Sequence, residues 1–449
     1  LYFIHRLSRM FSPLDDRYQE TLKPLRPYVG ERSFMKYRLK VEIDYFCWIG
    51  KDKISDPVKT FLKDLLEKFD EAEFLEIKKI EKKTKHDVKA VEYFLREKLK
   101  PFSLDSKITE LIHFGLTSQD INTSAIALQI SDLLRILYLK QIKFLKALEK
   151  LATDHMNLPL LARTHGQPAV PTTLGKELMV YVKRLEYQFK FMDSKNGIPT
   201  KFGGAVGNLN AHYLTDPQKD WHKDFDNFIA DMSNGLLSRV RSTTQILPYD
   251  YWNWIFDYLK NTHLVLEDFC QDIWLYISLD YFTQEVSADQ VGSSAMPQKI
   301  NPIDFENAEG NSQLVEMWAS FLSRKLPVSR LQRDLTDSTV LRNIYQPFGY
   351  SYLALDSLLK GLSKLSVNKD KIIKDLEDHP TILSEAFQII LRQAGIKDAY
   401  NILRKLTQGH PELSLQNIKD QLLVYLPNLD DKVKEKIKNL TYSNYLGSI

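Results

Sequence analysis

The chain has 449 residues, 43% of them hydrophobic and 27% charged, a composition that can bury a large core and is long enough for two or three domains. Its 61 basic and 58 acidic side chains leave a net charge of +3, which provides no overall drive toward nucleic acid or a membrane surface. No apolar run approaches the ~20 residues of a membrane span, there is no cleavable signal pattern, and two cysteines, Cys47 and Cys270, are too few for a disulfide framework. The expected setting is the cytoplasm, with both thiols buried and reduced and no zinc site.

The first segment, to about Asp105, carries apolar residues at helical spacing in Phe34 to Ile49 and in Val58 to Phe74. It opens on Ser12-Pro13-Leu14-Asp15-Asp16-Arg17-Tyr18, a turn followed by a cation and a phenol. In Thr84-Lys85-His86-Asp87, Asp87 is placed to cap the helix that follows, with His86 beside it on the surface. Next, His113 to Asp120 ends in Thr117-Ser118 just before a helix, where these hydroxyls either cap the helix or join its free N–H groups in meeting an anion.

From Asn122 to His155 there is no Gly or Pro, and Ile126, Ile130, Leu133, Leu137, Ile142, Leu145, Leu148 and Leu151 recur at steps near three and four. That pattern predicts a helix approaching ~50 Å, a length that belongs in a bundle. It returns from Thr172 to Asp193, Tyr249 to Phe282, Phe305 to Leu326 and, less regularly, Thr336 to Leu365. Five long helices and few strand-like alternations predict an all-α fold with a central bundle. The aromatic stripe of Trp252, Ile255, Tyr258 and Leu259 reads as core. After about Lys364 the helical segments shorten, broken by Pro380, Gly395, Pro411 and Pro427. The expected domains are 1–106, 107–363 and 364–449.

Chemistry is expected where the long helices are interrupted. Arg163 to Pro168 joins the first two, with His165 off any apolar face and suited to donate a proton near neutral pH. Gly203-Gly204-Ala205-Val206-Gly207-Asn208 follows the second, but no βαβ unit surrounds it to make a dinucleotide site. The run from Gly292 to Pro302 (Gly-Ser-Ser-Ala-Met-Pro-Gln-Lys-Ile-Asn-Pro) is either a polar surface loop or a hinged active-site loop. A serine there acts as a base only if its oxyanion is stabilised and the proton is unusually acidic; a proton next to a carboxylate becomes removable when the doubly negative aci-carboxylate is stabilised, the part that Lys299 and Asn301 suit.

This run resembles the signature of the fumarase/aspartase superfamily at every fixed position. Thr84 to Glu92, Thr117-Ser118, Arg163 to Pro168 and Arg333 to Arg342 further resemble the adenylosuccinate lyase family, in its bacterial form with a Ser-Pro-x-Asp-x-Arg-Tyr opening. The resemblance covers nearly the whole chain. It implies a three-domain fold whose five-helix bundle assembles into a homotetrameric twenty-helix core, with active sites shared between subunits.

The implied reaction is a carbon–nitrogen lyase step of purine biosynthesis, without metal or organic cofactor. Adenylosuccinate yields AMP and fumarate, and the succinylated aminoimidazole carboxamide ribotide, SAICAR, yields AICAR and fumarate. Ser293 would be the base, with Ser294 as the alternative, and His165 the acid. Arg17, Tyr18, Arg333, Ser338 and Arg342 would bind the phosphate and ribose. His86 would bind the phosphate end and help orient the acid, Asp87 would be a further substrate-binding residue, and Thr117, Ser118, Thr164, Gln245, Lys299 and Asn301 would hold the succinyl part. A substrate with one phosphate and two carboxylates needs this many cations and donors.

Asp16, Gln119 and Gln298 depart from the family pattern, which bears on affinity and loop geometry. The same loop also occurs in argininosuccinate lyases, and some superfamily members are non-catalytic lens proteins.

Overall fold

The computed structural model describes residues 12–193, 197–285, 296, 299–410 and 413–448. Helices dominate these residues, and the fold is all-α. By contact density the chain divides into two compact units. One comprises Leu1–Gln141, Tyr187–Glu267 and Ala308–Asp356; the other comprises Ile142–Glu186, Asp268–Asn307 and Ser357–Ile449.

The first unit begins with α1 (Gly30–Gly50), α2 (Asp56–Glu67), α3 (Glu71–Thr84) and α4 (Asp87–Leu99). Met35, Leu39, Ile43 and Phe46 form one face of α1 and bury against Leu62 of α2, Ile77 of α3 and Val91 and Phe94 of α4. Each such side chain contributes about 1.5–3 kcal/mol of burial. The apolar stretch from Val58 to Phe74, expected to be continuous, is divided between α2 and α3. Asp70 accepts the Ala72 N–H (2.7 Å) while Glu73 accepts the Asp70 N–H (3.2 Å), so a capping box starts a new helix there.

The long helices follow. α5 (Ser118–Asp154) runs 37 residues, four residues further at its start than the apolar pattern alone indicates. α6 (Leu174–Asp193), α7 (Trp221–Met232), α8 (Asn253–Ser278) and α9 (Ile303–Lys325) come next. The fifth expected helix is broken into α10 (Thr336–Leu341) and α11 (Gln346–Lys364) by a turn at 342–345. Pro347 explains the break: with no N–H it cannot donate to a preceding turn, and it is tolerated only near a helix start. Trp252, Ile255, Tyr258 and Leu259 are all buried, so the aromatic stripe is core.

Strands are few and short. β1 (Pro159–Thr164) and β2 (Gln167–Thr173) form an antiparallel hairpin in the second unit. β3 (Ile198–Lys201) pairs in parallel with β4 (Leu237–Val240), Lys201 opposite Val240, in the first unit. β5 (Phe282–Gln284) pairs antiparallel with β6 (Leu365–Val367) in the second. The second unit then continues through α12 (Lys369–Glu377) into shorter helices. Their core gathers Leu376, Leu383, Phe387, Leu403, Ile418, Leu422 and Ile437, with Leu161 of β1.

His263 is fully buried on α8, with Nδ1 2.9 Å from Ser312 Oγ and Nε2 2.7 Å from Ser351 Oγ. It therefore ties α8 to α9 and α11. Burial pulls its pKa down to about 3. The unfolded chain takes up this proton near pH 6.5 and the folded one does not, so stability falls as pH drops from about 6.5 toward 3. His263→Gln is expected to remove about 1.4 kcal/mol per pH unit from that acid slope, read from urea midpoints between pH 7 and 4.5.

Candidate active site

In the first unit, the start of α4 and the start of α5 come together. His86, not Asp87, caps α4: its Nδ1 accepts the Lys89 N–H at 3.1 Å, leaving Nε2 3.5 Å from Ser118 Oγ at the first turn of α5. Asp87 is held from behind, its Oδ2 accepting from the buried Arg38 at 2.6 Å and its Oδ1 from the Val88 N–H at 2.9 Å. Burial raises the Asp87 carboxyl, but Arg38 and the Val88 N–H more than offset this and leave it below its ordinary value. Arg38 also donates through Nε to Asn122 of α5 at 2.7 Å, so one guanidinium fixes both helix starts. The positive ends of two helix dipoles therefore lie close together, an arrangement that favours an anion.

Thr117 precedes α5 and donates its N–H to Asp120 Oδ2 at 2.7 Å. Asp120 is fully buried and also takes the Gly203 N–H at 2.7 Å and the Gly204 N–H at 3.2 Å. Its Oδ1 lies 2.6 Å from the ammonium of Lys201, the last residue of β3, which donates in turn to the Gly204 carbonyl at 2.5 Å. Burial lowers the Lys201 pKa, against the opposing pull of Asp120. The glycine-rich stretch is thus a turn wrapped around a buried ion pair. Reasoning from the sequence missed both partners; the one available signal was an acid at the third position of a helix start, where it can accept the N-cap N–H.

The late arginines belong to the same unit. Arg333 donates to Gln245 Oε1 (3.3 Å) and to Ser338 Oγ (2.8 Å), with Nε 3.7 Å from Asp337, so three residues expected around one ligand are already linked. Asp337 is buried and accepts from the Tyr249 hydroxyl at 3.4 Å. Arg342 is exposed, with Nη1 3.4 Å from the Ser338 carbonyl. Arg17 is exposed and sits 5.9 Å from the centre of the Tyr18 ring.

The second unit holds the other group. The stretch expected as a loop from Arg163 to Pro168 is the tip of the β1–β2 hairpin, with Thr164 paired to Gln167 and a two-residue turn of His165 and Gly166. Both turn residues have positive φ, 54° and 72°, the conformation that matches strand twist in a tight hairpin. Thr164 and His165 are exposed there. Arg163 is anchored to Asp375 of α12 at 2.7 Å, and Asp375 also accepts from the Tyr281 hydroxyl. Lys299 is exposed and Asn301 half-buried just before α9, the Lys299 N–H donating to the Met296 carbonyl at 3.0 Å. Ser293 and Ser294 lie outside the described residues. Among the described residues, no cluster of His, Cys, Asp and Glu is arranged to hold a metal ion, and no helix is long and apolar enough to cross a membrane.

Residues 30–316 match the family model described as lyase, and residues 329–446 match that of the adenylosuccinate lyase C-terminal domain. Adenylosuccinate lyase of Dictyostelium discoideum is 43% identical over 98% of this chain and 96% of its own length. That of Escherichia coli is 39% identical over 97% and 96%. Among solved structures, a fumarate lyase from Mesorhizobium sp. BNC1 superimposes with a TM-score of 0.77 over 95% of each chain at 18% identity, a likeness of fold. The chain is therefore a lyase with a fumarase/aspartase-like fold. It belongs to the adenylosuccinate lyase family.

The Arg163–Asp375 contact is the part of the second unit most open to test. Burial raises the Asp375 carboxyl, but Tyr281 and Arg163 outweigh it and leave it below its ordinary value. Its contribution is present above about pH 4 and is lost as pH falls through the depressed value. Asp375→Ala is expected to cost about 1–3 kcal/mol at pH 7, seen in the denaturant midpoint, and to speed amide exchange at Thr164 to Gly166.

Proposed function

We propose that this chain eliminates fumarate from adenylosuccinate to leave AMP, and from SAICAR to leave AICAR. In this reading Ser293 Oγ removes the proton from the succinyl carbon next to a carboxylate. Lys299 and Asn301 stabilise the aci-carboxylate that results. The electron pair then closes the carbon–carbon double bond as the carbon–nitrogen bond breaks, and His165 protonates the departing nitrogen. No step calls for a metal or an organic cofactor.

The observation that carries the reading is the donor cluster of the first unit. Two helix starts meet at His86 and Ser118, and Arg333 is preset between Gln245 and Ser338. Such an array suits a ligand with a phosphate and carboxylates, where a fumarate or aspartate site needs fewer cations. Arg17, Tyr18, Ser338, Arg333 and Arg342 take the nucleotide end and His86 the phosphate, with Asp87 holding the start of α4. Thr117, Ser118, Thr164 and Gln245 join Lys299 and Asn301 on the succinyl group.

The assembly in this reading is a homotetramer with shared sites, working in the cytoplasm. Leu264 of α8 and Leu314, Met317 and Phe321 of α9 are exposed apolar side chains on long helices, the kind of surface that packs against further copies. The segments 1–106, 107–363 and 364–449 are its domains; an apolar core drawn mostly from residues 35–99 supports the first, and one drawn mostly from residues 376–440, with Leu161 of β1, supports the last.

Absorbance-monitored fumarate release from adenylosuccinate tests this directly. Wild type should turn over. Ser293→Ala and His165→Ala should each lose about 10²–10⁴-fold in kcat while staying folded. Arg342→Ala should raise KM. Fumarate from argininosuccinate in place of adenylosuccinate, or indifference to Arg342→Ala, would overturn the assignment.

A further inference from the structure

The glycine-rich turn at 203–207 has no substrate role in the mechanism above, yet it lies against two of the segments that do. At one end, Gly203 and Gly204 give their N–H groups to Asp120, the same carboxylate that holds the Thr117 N–H. Gly204 has φ +77°, and a Cβ there would lie 3.1 Å from the Gly115 carbonyl, so the turn also lies close against the residues leading to Thr117.

At the other end, Gly207 has φ +87°, and a Cβ there would come within 2.2 Å of the Thr243 carbonyl oxygen and 2.9 Å of its hydroxyl. Only glycine permits that approach without moving one of the two backbones. Thr243 is two residues from Gln245, whose side chain accepts from Arg333. Arg239 fixes the strand beneath, donating to the Phe202 carbonyl at 2.6 Å and pairing with Asp226 of α7 at 2.9 Å.

We propose that Asp120, with Lys201, is a positioning residue: through the 203–207 turn it sets the spacing between Thr117–Ser118 and Gln245–Arg333, and so the length of ligand the first unit accepts. This rests on the substrate assignment given above. Neither Asp120 nor Lys201 has exposed surface, so neither meets the ligand itself. A rigid link between two binding segments acts on affinity, because misplacing one segment removes contacts made equally in the ground and transition states.

The experiment reads KM, kcat and amide exchange in wild type, Asp120→Asn and Gly207→Ala, with Leu62→Ala in the core of α1 to α4 as a variant that loses stability elsewhere. Asp120→Asn keeps the shape and removes the charge. Gly207→Ala leaves the ion pair intact and displaces only the far end of the turn, so it decides the matter if Asp120→Asn does not fold. Each is expected to raise KM for adenylosuccinate about tenfold with kcat within about threefold, whereas Leu62→Ala lowers the melting temperature and leaves KM alone. Exchange at Gly203, Gly204 and Ile246, whose N–H donates to the Thr244 hydroxyl, should quicken at least about tenfold in Asp120→Asn or Gly207→Ala and not in Leu62→Ala.

Unchanged KM in a folded Gly207→Ala, or a KM rise of the same size in Leu62→Ala, overturns the inference while leaving the lyase assignment in place. If wild type releases no fumarate the assignment fails instead. The exchange measurement, which needs no substrate, then decides the positioning role: unchanged protection at Ile246 overturns it, and quickened exchange sustains the link.

Discussion

The carboxylate of Asp120 and the ammonium of Lys201 lie 2.6 Å apart with no exposed surface on either side chain. Removing two charges from water costs several kcal/mol each, and Coulomb attraction alone seldom recovers it. Here the remaining lone pairs of Asp120 are occupied by the N–H groups of Thr117, Gly203 and Gly204, and Lys201 is further held by the Gly204 carbonyl. The pair is sustained because it answers backbone groups that the start of α5 and a glycine turn would otherwise leave unsatisfied. In return, backbone that forms neither helix nor ladder acquires a fixed shape.

The same arrangement recurs at smaller scale. Arg38 reaches from α1 to Asp87 at the start of α4 and to Asn122 in α5, so the two helix starts share one buried cation. Arg333 joins Gln245 to Ser338. In each case a charged side chain from one element spans two others, and long helices supply the stiff frame. Groups held before a ligand arrives lose less freedom on binding, which favours tight recognition of a polyanion.

The helices were legible in the sequence because periodicity over twenty or more residues is a strong signal, and α5, α6, α8 and α9 lie within a few residues of where the apolar pattern puts them. The failures are local. Pro347 splits α10 from α11, the Asp70 capping box splits α2 from α3, and both signals were overrun by an apolar pattern that continued across them. At the site, the interruptions were legible as places of interest, and their residue types pointed to anions. The contacts were not: Asp120 to Lys201 spans 81 positions and Arg163 to Asp375 spans 212, and one sequence gives no measure of such pairings.

His165 shows why the form of an interruption matters as much as its composition. A flexible loop would present an imidazole in many directions and lose that freedom on binding. The hairpin tip instead fixes both turn residues at positive φ, between strands whose pairing reaches Thr164 and Gln167. Gly166 adopts this conformation at no steric cost, and His165 does so at a modest one, sustained by the ladder behind it and by the Arg163–Asp375 bridge. In the proposed reaction the proton donor gains from this, because its transfer distance must hold to a few tenths of an ångström while the leaving group departs. The conformation of the tip is therefore coupled to the anchoring of β1 on α12 through Arg163 and Asp375.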